Sequence, residues 1–333
     1  MSNVLFGKLG QKIVYDRGLP DAIRSNTNGN YESYNILRML SATLDNVFVV
    51  EDNILISFEQ QLNDNSISLV TDFVPKIDCA FIILGVSEYN MSSKLLEIIN
   101  SGIKWYALCS DPRCIDALTR FITCPPVDVY AGANGISCEI AGKTFITKYL
   151  NIEAANVYNE QPLSNFDCKH NKMIVVANQT STWDRIANVK EMTGLLPKED
   201  VIIYGRCEDK DKDERFGGEH TISFIYNAQR LSKVTYVAPI DDGWITAKYL
   251  ECICRGVIPL MSTNYAASIP QFAKDIEKVE PRLFVKNPDD VFTMYSLVVN
   301  NKDYYEKTIY NLRSAVYNKY SPLVLRDSLI SLI

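Results

Sequence analysis

Lys248 and Glu251 stand three residues apart in Ala238-Pro-Ile-Asp-Asp-Gly-Trp-Ile-Thr-Ala-Lys-Tyr-Leu-Glu-Cys-Ile-Cys-Arg-Gly-Val-Ile-Pro-Leu260, a spacing that puts them on one helix face. A helix starting near Gly243 or Trp244 would draw an anion to its amino end. Lys248 would neutralise a diphosphate there, and Glu251 would accept hydrogen bonds from the two hydroxyls of a ribose. Arg255-Gly256 closes the helix, and residues 257–261 resume as a short buried strand. The same spacing also describes an ordinary ion pair on the surface of an amphipathic helix, and the segment alone leaves both readings open.

Three further segments follow apolar runs. Ser110-Asp111-Pro112-Arg113 comes after residues 104–108. A carboxylate there could take a proton from an attacking hydroxyl, although taken alone Asp111 reads first as the N-cap of a helix begun by Pro112. Asn178-Gln-Thr-Ser-Thr-Trp-Asp-Arg185 follows residues 173–177, and its hydroxyls and amides suit a phosphate or a nucleoside, or a turn and a cap. Gly205-Arg206 follows residues 201–204, where the missing side chain would let a ligand approach the backbone, or simply permit a turn. Ligands of open α/β sheets bind beyond the carboxyl ends of the strands, which gives these positions their weight.

Strand-length apolar runs alternating with helical patterns supply the scaffold. Strands are predicted at residues 4–6, 46–50, 80–84 and 104–108, with helices over 34–44 and 92–99. In the second half strands are predicted at 173–177, 201–204, 235–238 and 257–260. The alternation predicts an α/β protein with mainly parallel sheets. The polar, proline-containing segment 159–171 separates the two series and is the expected hinge, with a first domain over 1–163 and a second over 164–320. Residues 303–333 are predicted helical with a break at Ser321-Pro322, and segment 321–333 is expected to return to the first domain.

A chain of 333 residues with 47% hydrophobic and 22% charged content suits two globular domains. Its net charge of −6 excludes a protein that coats nucleic acid through a uniformly basic surface. A local basic patch stays open, with Lys8, Lys12, Arg17, Arg24, Lys104, Arg113 and Arg120 as candidates. Nine cysteines without C-x-x-C pairs, and two histidines, predict free thiols in a reducing compartment and no protein-built metal site. Any divalent metal would be held by carboxylates and substrate phosphates. The amino terminus lacks the apolar core of a signal peptide and no run has the length of a membrane span, so a cytosolic protein without a membrane partner is expected. Gly7-Lys-Leu-Gly10 lacks the full G-x-G-x-x-G pattern, which argues against a nicotinamide dehydrogenase.

Together these segments resemble the DNA β-glucosyltransferases of T-even bacteriophages, in order along most of the chain. Trp105-Tyr-Ala-Leu-Cys-Ser-Asp-Pro-Arg113 is similar to the family's strand that ends in the catalytic aspartate, which puts the base on Asp111. Glu32-Ser-Tyr-Asn-Ile-Leu-Arg-Met-Leu-Ser41 resembles the first helix, whose leading glutamate lies near the sugar, so Glu32 is carried over. Arg185 matches an arginine on the UDP phosphates, and Gly205, with Arg206 beside it, the glycine after the next strand. Ile222-Ser-Phe-Ile-Tyr226, through Phe224 and Ile225, stands where backbone groups hold the uracil. Asp242-Gly-Trp-Ile-Thr-Ala-Lys-Tyr-Leu-Glu251 is similar to the diphosphate and ribose helix, bringing in Asp242, Trp244, Lys248 and Glu251. Two departures stand out. Lys248 replaces an arginine, keeping the charge but losing the planar fork, and Ser181 stands where a second arginine would be.

The resemblance implies a GT-B fold, two Rossmann-like lobes with a cleft between them. It implies a UDP-sugar donor, with Mg2+ or Mn2+ carried on the diphosphate. The sugar, glucose or a pentose such as arabinose, would pass to the hydroxymethyl group of 5-hydroxymethylcytosine in double-stranded DNA. Transfer is inverting if Asp111 is the base. A stacked base must be extruded from the duplex. Arg113, Arg120 and Phe121 are the expected phosphate contacts and wedge, Phe121 being also readable as core. The implied setting is a monomer in the cytoplasm of an infected bacterial host. The alternatives are a GT-B transferase or UDP-sugar epimerase acting on a small molecule or surface glycan, and a non-catalytic UDP-binding protein.

Overall fold

The apolar runs fold as strands buried on both faces, as parallel sheets covered by helices require. The structure, a computed structural model, describes residues 2–9, 28–51, 54–57, 76–84, 92–109, 119–132, 135–157, 165–177, 185–205, 214–218, 220, 222–238, 248–263 and 270–333. Two units are present: Met1–Tyr158 with Pro322–Ile333, and Asn159–Ser321.

The first unit runs β1 (Val4–Leu9), α1 (Asn28–Ser41), β2 (Val47–Glu51), β3 (Ile54–Ser57), β4 (Cys79–Leu84), α2 (Ser93–Asn100), β5 (Lys104–Cys109), β6 (Val129–Ala131), β7 (Ser137–Ile140), β8 (Lys143–Ile146) and β9 (Lys148–Tyr149). Seven of these strands form one sheet in the order β3-β2-β1-β4-β5-β6-β9, parallel except for β3, which runs antiparallel to β2 at the edge. Helix α1 begins at Asn28, ahead of the predicted residue 34, because periodicity marks only its apolar face, Ile36, Leu37 and Leu40. Ser92 caps α2 by accepting from the Leu95 N–H at 3.2 Å, and Leu95 and Ile99 lie buried on the sheet. Gly7 serves that packing, since a Cβ on it would lie 2.8 Å from a Leu95 methyl. Strands β7 and β8 form a separate hairpin that the sequence reading did not assign. Its turn places Ala141 at φ 52° and Gly142 at φ 71°, the left-handed pair of a tight hairpin.

The second unit runs β10 (Met173–Val176), α3 (Arg185–Met192), β11 (Val201–Tyr204), β12 (Phe216–Gly218), α4 (Ile222–Arg230), β13 (Val234–Val237), α5 (Lys248–Cys254), β14 (Ile258–Ser262), α6 (Pro270–Val279), β15 (Phe284–Val285), α7 (Pro288–Asn300) and α8 (Lys302–Leu312). Two three-stranded parallel sheets, β10-β11-β12 and β13-β14-β15, meet along β10 and β13. There Ser232 Oγ donates to the Lys172 carbonyl at 2.7 Å and Thr235 Oγ1 to the Ile174 carbonyl. The spatial order β12-β11-β10-β13-β14-β15 is doubly wound, and its direction reverses between β10 and β13.

After α8 a π turn, Arg313–Tyr317, and a short helical turn lead to Ser321, whose extended backbone (ψ 165°) breaks the helix at the predicted place. Pro322 then opens α9 (Pro322–Ile330), which packs in the first unit against α1 and the 3-10 segment Ile152–Val157.

Candidate functional site

The reversal between β10 and β13 is where a doubly wound sheet leaves room for a ligand. Arg185, the first residue of α3, spans it. Its buried guanidinium donates through Nη2 to the carbonyl of Ala238, the residue just past β13, at 3.1 Å. Helix α3 is fixed to the same strand by Tyr236, whose hydroxyl donates to Asn188 Oδ1 at 2.8 Å. A fixed cation therefore stands at the carboxyl end of two adjacent strands. Gly205 follows β11 with φ 149°, a backbone angle that favours glycine, and its N–H donates to the Gly218 carbonyl at 3.1 Å. Its role in the fold is thus to join β11 to β12.

Helix α5 follows β13 and carries the ion pair. The pair is buried, not on the surface: Glu251 is 1% exposed, and its Oε2 accepts from Lys248 Nζ at 2.9 Å and from Arg255 Nη1 at 3.3 Å. Arg255 also donates to Gln229 Oε1 at 3.0 Å and stacks on the Tyr226 ring, its guanidinium carbon 3.5 Å from the centroid. Both of these partners come from α4. Burial by itself would raise the Glu251 pKa, but the charges of Lys248 and Arg255 and the hydrogen bonds from both hold it below the usual carboxylate range. Burial would likewise pull the Lys248 ammonium down, and the Glu251 charge overrides it upward. The arrangement is a carboxylate held ionised between two cations, able to accept hydrogen bonds from hydroxyls and biased toward an anion nearby. Arg255, Tyr226 and Gln229 were not expected from sequence. The Glu251–Arg255 spacing of four was the available signal.

A third group forms at the end of β11. His220 and the Phe224 ring stack at 4.2 Å, and Tyr204 meets both edge-on. Phe224 is 45% exposed in the first turn of α4, whereas Ile225 is buried beside it. Phe224 therefore keeps part of its ring exposed while stacked on His220. His220 was missed: it precedes α4, so no helical spacing ties it to Phe224.

Asp111, Arg113, Ser181, Arg206, Asp242 and Trp244 lie outside the described residues, as do Lys12, Arg17 and Arg24. Glu32 lies in α1, and its side chain is outside what is described. Arg120 and Phe121 lie in a described 3-10 turn, Thr119–Phe121. Asn100, the last residue of α2, donates to the Phe121 carbonyl at 3.1 Å and accepts from Thr123 N at 2.8 Å. This fixes them near the amino end of β5. Phe121 is 38% exposed under the Arg120 guanidinium, so it is not core. Lys104 is likewise at the amino end of β5, where it donates to the Leu332 carbonyl, and Lys8 is buried in β1. Among the described residues no group of three or more His, Cys, Asp or Glu side chains is arranged to hold a metal, and no helix is long and apolar enough to cross a membrane.

No protein-family model and no curated protein sequence matches the chain. Solved structures do match along its length. A mutant of T4 phage BGT, the β-glucosyltransferase, in complex with UDP-glucose is 13% identical over 99% of both chains, with a TM-score of 0.65. An α-glucosyltransferase bound to UDP and a 13-mer DNA with a central A:G mismatch is 9% identical over 100% of this chain and 99% of that one, with a TM-score of 0.64. A glycosyltransferase from Rickettsia africae is 10% identical over 99% and 97%, with a TM-score of 0.56. The fold is that of the GT-B glycosyltransferases.

Proposed function

We propose that the chain is a UDP-sugar-dependent glycosyltransferase whose acceptor is the hydroxymethyl group of 5-hydroxymethylcytosine in duplex DNA. The observation that carries this reading is the Arg185 guanidinium fixed across the β10/β13 reversal, where a doubly wound sheet takes a nucleotide diphosphate. In this reading Arg185 and Lys248 balance the charge that grows on the departing phosphate. Glu251, held ionised by Lys248 and Arg255, receives the ribose hydroxyls. The uracil stacks on the exposed ring of Phe224, which His220 backs.

Asp111 then takes the proton of the acceptor hydroxyl as oxygen attacks the anomeric carbon from the face opposite UDP, inverting that centre. Glu32 stabilises the positive charge that develops on the sugar. Ser181 in place of an arginine leaves the diphosphate grip to Arg185 and Lys248. A divalent ion would travel on the diphosphate. The sugar is glucose or a pentose such as arabinose.

The test is mass spectrometry of nucleosides from 5-hydroxymethylcytosine DNA incubated with the protein, Mg2+ or Mn2+ and a panel of UDP-sugars. A hexose or pentose mass gain identifies the reaction and its donor. UDP binding without any gain would move the acceptor to a small molecule or a surface glycan, or leave a UDP-binding protein without transfer.

A further inference from the structure

The second unit carries a cavity of about 530 Å³ that the donor reading does not use. Its walls come from Phe166, α8 and the π turn that follows. Two of its wall residues fix its place. Tyr305 donates to the Gly256 carbonyl and Arg313 Nη1 to the Cys254 carbonyl at 2.8 Å, both at the chain segment that enters β14. The cavity thus opens at the amino ends of the strands, whereas Arg185 and Ala238 lie at their carboxyl ends.

We propose that this cavity binds a neutral saccharide. Its size is that of a small-molecule site. The charged side chains on its wall are Glu306 and Arg313, which sum to zero, so neither an anion nor a cation is selected by net charge. The Arg313 guanidinium is committed to the Cys254 carbonyl and lies over the Tyr317 ring at 5.1 Å, which leaves it poorly placed to clamp a phosphate. The remaining wall combines aromatic rings with amide and hydroxyl groups and the aliphatic Ile309. Phe166 and Tyr305 meet at 5.2 Å, Tyr310 stands 73% exposed, and Asn318, just past the π turn, joins the wall. A pyranose presents a flat face of C–H groups and a rim of hydroxyls, which an aromatic ring and an amide or carboxylate respectively complement. The π turn brings Arg313, Ser314, Tyr317 and Asn318 to one wall, and such turns recur at functional sites.

The proposal does not depend on the donor reading, and its test separates the two. Methyl glucosides, methyl arabinosides and maltose are titrated against the full-length protein by saturation-transfer NMR, with UDP in a parallel titration. At least one saccharide is expected to bind in saturable fashion with UDP present. Tyr310→Ala and Asn318→Ala are each expected to weaken it by about tenfold, with UDP affinity and melting temperature unchanged. Failure of every saccharide to bind, displacement of the saccharide by UDP, or unchanged binding in both variants would overturn it.

Discussion

Glu251 shows how one residue holds a charge inside a protein. Taken out of water alone it would be neutral, and Lys248 and Arg255 keep it ionised. Replacing it by glutamine leaves the two cations uncompensated, a loss of roughly 3–5 kcal/mol for breaking a buried pair. Glu251→Gln is therefore expected to lower the melting temperature and, measured below that transition, to weaken UDP binding by about tenfold, the worth of a ribose hydrogen bond to a charged group. Unchanged calorimetric affinity would put the ribose elsewhere. Asp111→Asn has the opposite profile: UDP binding persists, and transfer falls roughly a hundredfold or more because the general base is gone. Transfer at the wild-type rate would remove Asp111 from the mechanism. Sequence made Arg185, Lys248 and Glu251 legible through position after a strand and through helical spacing. It could not deliver Tyr226 and Gln229, whose partnership with Arg255 crosses between two helices.

At the scale of elements, the strands were legible because a parallel sheet buries both faces and writes an uninterrupted apolar run. The hairpin β7–β8 was not, since its two four-residue strands bury only Cys138, Ile140 and Phe145 between them. Gly7 reads as half of a phosphate-binding pattern, yet the structure makes it a packing glycine under α2. Gly7→Ala forces the Leu95 side chain aside, and a loss of roughly 1–3 kcal/mol is expected in denaturant unfolding, as for other overpacked cores. A loss within error would show that Leu95 rotates away freely. The connection into β15 depends on Glu280, which accepts from Arg282 Nε and Nη2 and from the Tyr304 hydroxyl, each at 2.8 Å. Those Arg282 bonds, followed by the Tyr304 bond, outweigh burial and bring the Glu280 carboxyl down to about 2 from 4.5. A depressed carboxyl stabilises the fold above the higher value and loses that contribution as pH falls from 4.5 toward 2. Glu280→Gln should cost about 2 kcal/mol at pH 7, after discounting for the solvent around half-exposed Arg282, and nearly nothing at pH 2. A cost independent of pH would mean that packing, not charge, is what Glu280 contributes.

At the scale of the whole molecule, chain order and unit membership part company at Ser321. The last residues follow the second unit in sequence but complete the first: Leu325 and Leu329 are buried there, and the Leu332 carbonyl accepts from Lys104 Nζ at 2.8 Å and from the Tyr106 hydroxyl at 2.9 Å. Burying two leucines is worth roughly 2–3 kcal/mol each, and the two hydrogen bonds add about 1 kcal/mol each. Together that is comparable with the whole stability of a small domain, about 5–15 kcal/mol. A chain truncated after Ser321 is therefore expected to lose hydrogen-exchange protection in β1, β4 and β5, with β10, β11 and β13 still protected. Its UDP affinity should stay within about threefold of the full chain, because Arg185, Lys248 and Glu251 all belong to the second unit. Transfer should vanish, since Asp111 and Glu32 belong to the unit that unfolds. Full protection of β1 and β5 in the truncated chain would show that the first unit is stable without α9. Loss of protection in both units together would show that they unfold as one cooperative body.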